Sequence, residues 1–375
     1  MRLLFSAAGA HGHVYPLLPL ADAARRAGHE VLFATDEVMF PTLHRANLDT
    51  VKTGIPIATA FRRIKVARSL PEDSDTDTTT AVGASVFGDL LPRTVFATTK
   101  PVIERFGPDL VICEIGNPGA WFAAEHVGVP AMGVTWGRVM STPLNQVIAA
   151  ITAKTAADLG VSGMVPYLDV CPESLQSESF RNGAERLPLR PVGWSFADEE
   201  LPPVVTERER PLVYVTISSG PQTLSVPLLR DIVAGLSRLP VDVLVSTGST
   251  AVDQMSGLPD NVHVRSWVPQ TLVIPHTALV VHHGGPGCML NALAAGVPQL
   301  VLPDTSGAEP GTGITIKECG AGDMLPQAEA TVELVYEKAK ALLDSEPAHQ
   351  AAAELAREIA EMPSPEQVIE LLETR

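Results

Sequence analysis

Cysteine, aromatic residues and positive charge are all scarce in this chain of 375 residues. The four cysteines lie far apart and form no C-x-x-C pair, which argues against a zinc site or a disulfide framework and favours a reducing cytoplasm. Aspartate and glutamate outnumber lysine and arginine by 43 to 27, and the net charge of −16 provides no basic face for nucleic acid or anionic lipid. An anionic ligand must therefore be held by local groups.

Long hydrophobic runs are absent as well. No apolar run is long enough to cross a bilayer, so we expect no membrane partner. The apolar residues after Arg2 superficially resemble a secretory signal, but the run is short and an amphipathic helix follows it directly. We therefore interpret this segment as the first β-strand of a cytoplasmic protein.

Hydrophobic residues make up 45% of the chain and recur in the alternation of strand and helix that is typical of parallel α/β domains. A proline-rich and charged stretch between Arg186 and Pro211 interrupts this pattern, and a new strand begins at Leu212. We therefore predict two Rossmann-like parallel-sheet domains that face each other across a cleft. The predicted limits are residues 1–195 for the first domain, 196–211 for a linker, 212–350 for the second domain, and 351–375 for C-terminal helices that pack back toward the first.

A glycine-rich turn after a buried strand is the most informative local feature. The strand ends in His282 and His283, the turn follows over residues 284–287, and a helix comes next. Glycines let a backbone approach an anion closely, and the first amides of a helix point toward it without intrahelical acceptors. The pattern predicts a diphosphate site formed by the amides of Gly287 and Cys288 together with His283. A P-loop lysine and a G-x-G-x-x-G motif are missing, which disfavours phosphoryl transfer and dinucleotide binding; an ordinary glycine-rich turn is the alternative.

Two residues of the first domain could activate a hydroxyl group. His13 follows the first strand and is a candidate general base, and Glu114 ends another strand, where its carboxylate would orient the imidazole. The alternatives are a loop histidine bonded to the backbone and a solvated strand-end carboxylate. His11 and His13 lie two residues apart, but no third ligand stands at a useful spacing, so we expect no metal.

Three motifs together resemble the family 1 glycosyltransferases of the GT-B fold. They are Gly12-His13-Val14-Tyr15-Pro16, Trp267-Val268-Pro269-Gln270, and residues 282–287 with the later Gly296-Val297-Pro298 and Leu302-Pro303. The resemblance covers the whole chain and is greatest to bacterial enzymes that attach deoxysugars to polyketide antibiotics. It implies an acceptor domain first, a sugar-nucleotide domain second, and a last helix that crosses back onto the first domain.

The resemblance also suggests roles for individual residues. His13 matches the general base of the family, and Glu114 lies where its orienting aspartate usually stands. The residues expected to contact the nucleotide sugar are Ser218, Ser219, Gly220, Trp267, Val268, Gln270, His283, Gly285, Gly287, Cys288, Asn291 and Glu309. The residues expected to line the acceptor pocket are Phe61, Phe87, Trp121, Trp136 and Met140, each of which could equally be core packing.

Three departures from the family pattern bear on the donor. Cys288 replaces the usual threonine or serine, so a hydroxyl contact to phosphate is lost while the backbone N–H is kept. Asn291 stands where many UDP-sugar enzymes have a glutamate that binds the ribose hydroxyls, which suits a ribose with one hydroxyl fewer. The Asp-Gln pair that normally holds sugar hydroxyls is missing, and residues 304–310, including Glu309, occupy that region. A donor with few hydroxyls needs few such partners, so these changes point to a dTDP-deoxysugar.

We therefore expect a metal-independent, inverting glycosyltransferase that needs no cofactor and moves a deoxysugar from dTDP to a polyketide or aromatic aglycone. The alternatives are a catalytically silent, ligand-binding partner of a glycosyltransferase, and a sugar-nucleotide epimerase or lipid-linked glycosyltransferase on the same fold. The sequence leaves open the identity of sugar and aglycone, the choice between O- and C-glycosylation, and any auxiliary activator protein. It also leaves open the oligomeric state, with a homodimer as one alternative.

Overall fold

The computed structural model describes residues 1–70, 76–140, 142–216, 225–248, 252–303 and 311–374. The chain divides into two compact units, Met1–Arg190 with Met362–Arg375, and Pro191–Glu361. Each unit is built around one parallel sheet, as the alternation of strand and helix in the sequence predicts. Among the described helices, none is long and apolar enough to cross a bilayer.

The first unit contains a seven-stranded sheet. Its strands are β1 Arg2–Ser6, β2 Glu30–Thr35, β3 Asp49–Lys52, β4 Leu110–Glu114, β5 Ala131–Val134, β6 Tyr167–Asp169 and β7 Arg186–Pro188, in the spatial order β3-β2-β1-β4-β5-β6-β7. The central strands β1 and β4 are almost entirely buried, as strands covered on both faces require, and their sequences are accordingly apolar. The strand order reverses between β1 and β4, which is where open parallel sheets bind ligands beyond the carboxyl ends of their strands.

Helices connect the strands of this sheet. They are α1 His11–Val14, α2 Leu18–Arg26, α3 Phe40–Arg45, α4 Ile57–Ala67, α5 Thr76–Ser85, α6 Leu91–Phe106, α7 Pro118–Val127, α8 Pro143–Asp158 and α9 Glu178–Gly183, with a π-helical turn, Val86–Leu90, before α6. Helices α6 and α7 approach each other closely, since a Cβ atom placed on Gly119 would lie 2.2 Å from the carbonyl oxygen of Pro92. Helix α7 packs Trp121 and Phe122 into the hydrophobic core.

The second unit contains a six-stranded sheet. Its strands are β8 Leu212–Thr216, β9 Asp242–Ser246, β10 Val262–Arg265, β11 Leu279–His282, β12 Gln299–Val301 and β13 Gly322–Met324, in the order β10-β9-β8-β11-β12-β13. The strand order reverses between β8 and β11, whose register pairs Thr216 with His282. The carboxyl end of β11 is therefore the place in this unit where a ligand is expected.

The helices of the second unit bury apolar stripes against its sheet. They are α10 Pro203–Thr206, α11 Val226–Ser237, α12 Gln270–Val273, α13 Pro286–Ala294, α14 Gly311–Glu318, α15 Val332–Leu343 and α16 Glu346–Glu361. Helices α11 and α15 begin at Ser225 and Thr331, whose hydroxyl groups accept the backbone N–H three residues later, as good N-caps do. Their apolar residues, including Ile232 and Val335, lie in one core with the strands.

The boundary between the units lies earlier than the sequence predicts. The first unit ends at Arg190 rather than at residue 195, and the segment 196–211, predicted to be a linker, belongs to the second unit. Val205 is buried there in one cluster with Leu212, and the hydroxyl of Thr271 donates to the Trp194 carbonyl at 3.3 Å. This stretch shows no hydrophobic period because, apart from the one-turn helix Pro203–Thr206, it packs as irregular chain.

The C-terminal helices also divide differently from the predicted segment 351–375. Helix α16 belongs to the second unit, where it buries Ala352 and Ile359, and the chain returns to the first unit only at Met362. The last helix, α17 Pro365–Glu373, packs on α2. An ion pair of 2.6 Å between Arg26 and Glu366 and a hydrogen bond of 2.9 Å from Arg190 to the Met362 carbonyl hold this segment on the first unit.

Candidate active site

His13 and Glu114 meet at the carboxyl end of the first sheet. Glu114 ends β4, and His13 lies in α1, which follows the loop after the adjacent strand β1. The imidazole Nδ1 of His13 lies 2.9 Å from Glu114 Oε1. The two residues named by the sequence as candidate base and orienting carboxylate are therefore in direct contact, at the point where the strand order reverses.

The backbone fixes the carboxylate of Glu114. Its side chain is fully buried, its Oε1 also accepts the N–H of Ala8 at 3.2 Å, and its Oε2 accepts the N–H of Gly116 at 2.5 Å. A Cβ atom on Gly116 would lie 2.4 Å from the ring of Trp136 and 2.9 Å from Glu114 Oε2, so only glycine fits. Sequence reasoning missed Gly116; the glycine two residues after a strand-end carboxylate is the signal that would have indicated it.

The pKa of His13 reflects a competition between burial and charge. Burial alone would lower this pKa, but the negative charge of Glu114 and its hydrogen bond outweigh burial and raise it above the ordinary value of 6.5. Only 15% of the side chain is exposed. His13 thus has a raised pKa and a side chain that is only slightly open to solvent. Both properties suit a general base.

Aromatic rings surround His13 on two sides. The ring of Phe87 stacks on it at a centroid distance of 6.4 Å, and that of Trp136 meets it edge-on at 5.0 Å. Phe61 packs edge-on against Phe87 at 6.1 Å. Three of the five residues predicted for the acceptor pocket therefore form one group at the base, which we call the aromatic wall: Phe61, Phe87 and Trp136.

The other two predicted acceptor residues are not part of the aromatic wall. Trp121 is 4% exposed and belongs to the hydrophobic core with Phe122, so the structure does not place it on the aromatic wall. Met140 is half-buried and lies in the loop after β5 that also carries Trp136, where its carbonyl oxygen accepts a hydrogen bond from Asn145. The apolar pattern of α7 does not distinguish a tryptophan that faces the core from one that faces a ligand.

The glycine-rich turn in the second unit has the geometry of an anion site. Strand β11 ends at His282, Gly284 adopts a φ of 108°, and α13 begins at Pro286. The N–H of Met289 donates to the Gly285 carbonyl at 3.1 Å, whereas the amides of Gly287 and Cys288 precede the first intrahelical bond. These two amides lie at the positive end of the helix dipole.

The paired histidines beside this turn have different roles. The ring of His282 is fully engaged, because Gly284 donates its N–H to Nδ1 at 3.2 Å and Nε2 donates to Gln299 Oε1 at 2.9 Å. Burial, with a smaller contribution from His283, lowers the pKa of His282 to about 3, so this ring is neutral and structural. Burial also lowers the pKa of His283, and a hydrogen bond to the Thr216 backbone only partly offsets it; among the described residues, its buried Nδ1 has no hydrogen-bond partner. A neutral imidazole has one N–H to donate, so an anion bound here would compete with the Thr216 carbonyl for the N–H of His283.

The other residues predicted to contact the nucleotide differ in how far they are exposed. Trp267 is 48% exposed, and its indole N–H donates to Glu199 Oε1 at 3.4 Å. Gln270 begins α12. Val268 and the thiol of Cys288 are buried in one core cluster, so any contact they make with a nucleotide must come from their backbone. Burial raises the pKa of Cys288 to about 12.

Asn291 is half-buried on α13, and a Cβ atom on Gly193 would lie 2.6 Å from its Oδ1. The start of the second unit therefore packs against this amide. Four predicted residues, Ser218, Ser219, Gly220 and Glu309, lie outside the described residues. Within the described ranges, no three side chains of histidine, cysteine, aspartate or glutamate come together as metal ligands would.

The chain is similar in sequence to known glycosyltransferases. The family described as erythromycin biosynthesis protein CIII-like, C-terminal domain, matches residues 230–374. The elloramycin glycosyltransferase ElmGT of Streptomyces olivaceus is 30% identical, over 100% of this chain and 97% of that protein. The 3-alpha-mycarosylerythronolide B desosaminyl transferase of Saccharopolyspora erythraea is 28% identical, over 100% of this chain and 98% of that protein.

A solved structure extends the likeness to the fold. The glycosyltransferase SsfS6 of Streptomyces sp. SF2575, complexed with thymidine diphosphate, has a TM-score of 0.79 and 26% sequence identity over 100% of both chains. This likeness spans both units and confirms the GT-B fold predicted from the sequence motifs.

Proposed function

The chain belongs to the GT-B glycosyltransferases of antibiotic biosynthesis, and from this premise we propose that it transfers a deoxysugar from dTDP to a hydroxyl group of a polyketide or aromatic aglycone. The observation that carries the proposal is the contact of 2.9 Å between His13 and Glu114. A protein that only binds a ligand does not require an imidazole oriented by a buried carboxylate, whereas a reaction that deprotonates a hydroxyl group does.

The proposed reaction is a single displacement. His13 Nε2 removes the proton of the acceptor hydroxyl, because Nδ1 is held by Glu114. The acceptor oxygen bonds to the anomeric carbon while the bond from that carbon to the diphosphate oxygen breaks, and the diphosphate leaves with the electron pair. The charge of Glu114 stabilises the imidazolium that forms. One displacement inverts the anomeric configuration.

The turn after β11 is the proposed site for the departing diphosphate. The amides of Gly287 and Cys288 and the ring of His283 would donate hydrogen bonds to oxygens that gain negative charge as the bond breaks. Donors fixed in place before the reaction need no reorganisation, so we propose that the chain uses them in place of a divalent cation. Transfer then requires no cofactor.

Two observations support dTDP as the nucleotide. Asn291 offers an amide where a carboxylate would accept hydrogen bonds from both ribose hydroxyls, and dTDP has only one of these hydroxyls. SsfS6 was solved with thymidine diphosphate, and the relative from Saccharopolyspora erythraea is named as a desosaminyl transferase. Support for a planar acceptor comes from the aromatic wall beside His13.

Calorimetry and product analysis test the proposal. We expect dTDP to bind more tightly than UDP by about tenfold, which corresponds to about 1.4 kcal/mol. NMR of the product should show the anomeric configuration opposite to that of the donor, and turnover should be unchanged by EDTA. A preference for UDP contradicts the donor assignment, retention of configuration contradicts the single displacement, and activity lost in EDTA and restored by Mg²⁺ contradicts the role given to the amides.

A further inference from the structure

A second buried carboxylate lies in the first unit, outside the machinery described above. Asp169 ends β6 and is fully buried. Its Oδ1 accepts hydrogen bonds from the Thr135 hydroxyl at 2.9 Å and the Cys171 N–H at 3.0 Å, and Arg186 Nη1 donates to its Oδ2 at 3.2 Å. Burying an ionised carboxylate is unfavourable unless several donors compensate it, and here they come from three separate segments of the chain.

Gln176 connects this carboxylate to a loop. Its Nε2 donates to both oxygens of Asp169 at 3.1 Å and to the Gly137 carbonyl at 3.4 Å. Its Oε1 accepts the N–H groups of Val139 and Ser177, each at 2.9 Å. The side chain is 4% exposed, and both its donors and its acceptor oxygen are in use.

The loop held in this way carries part of the aromatic wall. It follows β5, contains Trp136 and Met140, and has a φ of 143° at Gly137, a backbone conformation that favours glycine. No helix or strand fixes the chain between Gly137 and Val139, so the amide of Gln176 supplies the hydrogen bonds that regular structure would otherwise provide.

We propose that Gln176 and Asp169 are positioning residues for the acceptor site. Through the Gly137 carbonyl and the Val139 N–H they hold the loop so that Trp136 meets His13 edge-on at 5.0 Å. The inference rests on the proposed function, because it takes the aromatic wall as the surface that binds the aglycone. It predicts that removing the amide of Gln176 weakens acceptor binding and leaves nucleotide binding in the second unit unchanged.

The test compares Gln176→Ala with Glu125→Ala. Glu125 also holds a loop of the first unit, through the N–H groups of Ser162 at 2.6 Å and Gly163 at 3.0 Å, but it lies outside the acceptor site. The probes are alizarin, a tricyclic aromatic phenol followed by quenching of tryptophan fluorescence, and dTDP followed by calorimetry. In Gln176→Ala we expect the Kd for alizarin to rise by about tenfold or more, because hydrogen bonds that involve a buried charge contribute enough free energy for a change of this size. The Kd for dTDP should be unchanged. In Glu125→Ala both constants should match the wild type.

An unchanged Kd for alizarin in a folded Gln176→Ala protein would overturn the proposal and leave the network a purely structural role. If that variant does not fold, Gln176→Met decides, since it keeps the length of the side chain but can neither donate to the Gly137 carbonyl nor accept the Val139 N–H; it must weaken alizarin binding in the same direction. If the wild type binds alizarin but transfers no sugar to it, the proposed reaction is refuted and the inference is not. The comparison of Kd values still tests whether Gln176 and Asp169 position the loop. Wild-type protein that does not bind alizarin overturns the assignment of the aromatic wall, and the inference with it.

Discussion

At the scale of single residues, one carboxylate sets the chemistry of His13. Glu114 receives two backbone N–H groups and cannot turn away from the imidazole, so its charge acts on His13 at a fixed distance of 2.9 Å. Burial opposes ionisation of the imidazole, and Glu114 more than offsets burial. The basicity of His13 is therefore a property of the pair.

The pH dependence of kcat/KM tests this pair. His13 must be neutral to accept a proton, and its pKa is raised, so with an alcohol acceptor the rate of the wild type should rise with pH through a pKa above 6.5. Glu114→Gln keeps the shape but removes the charge, which leaves burial unopposed, so the rising limb should move to lower pH. The same limb in both proteins would show that the charge of Glu114 does not act on the base.

His283 is the residue whose removal best tests the anion site. His283→Ala removes a donor to a charged phosphate, an interaction worth roughly 1.5 to 3 kcal/mol, so the affinity for dTDP should fall about ten- to a hundredfold. Titration calorimetry measures the change. His276→Ala, an exposed position in the same unit, is the matched control. Equal dTDP affinity in both variants would place the diphosphate elsewhere.

At the scale of elements, close packing between two helices limits which substitutions the protein can tolerate. Helices α6 and α7 touch at Gly119, where an added methyl group would meet the Pro92 carbonyl oxygen at 2.2 Å and the Phe96 nitrogen at 2.9 Å. Both neighbours are backbone atoms, so the helices themselves must separate. Since α7 begins only a few residues after Glu114, the packing of this pair also supports the site.

Gly119→Ala should therefore destabilise the first unit by about 1 to 3 kcal/mol, the usual cost of overpacking a core. Thermal and denaturant unfolding measure the effect. Gly183→Ala is the control, because Gly183 is exposed and a Cβ atom there would meet, beyond its chain neighbours and its own helix backbone, no atom of the described residues within 4 Å. A Gly119→Ala protein as stable as the control would mean that the two helices separate at no cost.

The elements that could be predicted from the sequence are those with a strong local signal. The strand ends at Glu114 and His282 and the turn before α13 follow from apolar runs and glycines, and they place the candidate base and the anion site. The network of Asp169 and Gln176 could not be predicted, because its hydrogen-bond donors come from segments far apart in the chain. Trp121 was misplaced because a helix that is apolar on most of its surface does not show which side meets the sheet.

At the scale of the whole molecule, each unit carries one half of the proposed reaction. The base and the aromatic wall lie in the first unit, and the glycine-rich turn and Trp267 lie in the second. The residues at which each unit begins and ends were harder to predict than its pattern of strands and helices. The reason is that the chain enters the second unit as irregular structure and leaves it at the end of α16. Effects on nucleotide affinity and on proton removal should therefore be separable by mutation.

The most direct test of the account is the kcat of His13→Ala with an aliphatic alcohol acceptor, measured beside its affinity for dTDP. Such an acceptor has a high pKa and depends fully on a base, so kcat should fall by roughly 10² to 10⁴. The Kd for dTDP should match the wild type, because His13 lies in the other unit. His11→Ala, two residues away in the same helix, serves as the control and should keep its activity. Full turnover by His13→Ala with this acceptor would remove His13 from the mechanism and contradict the central claim.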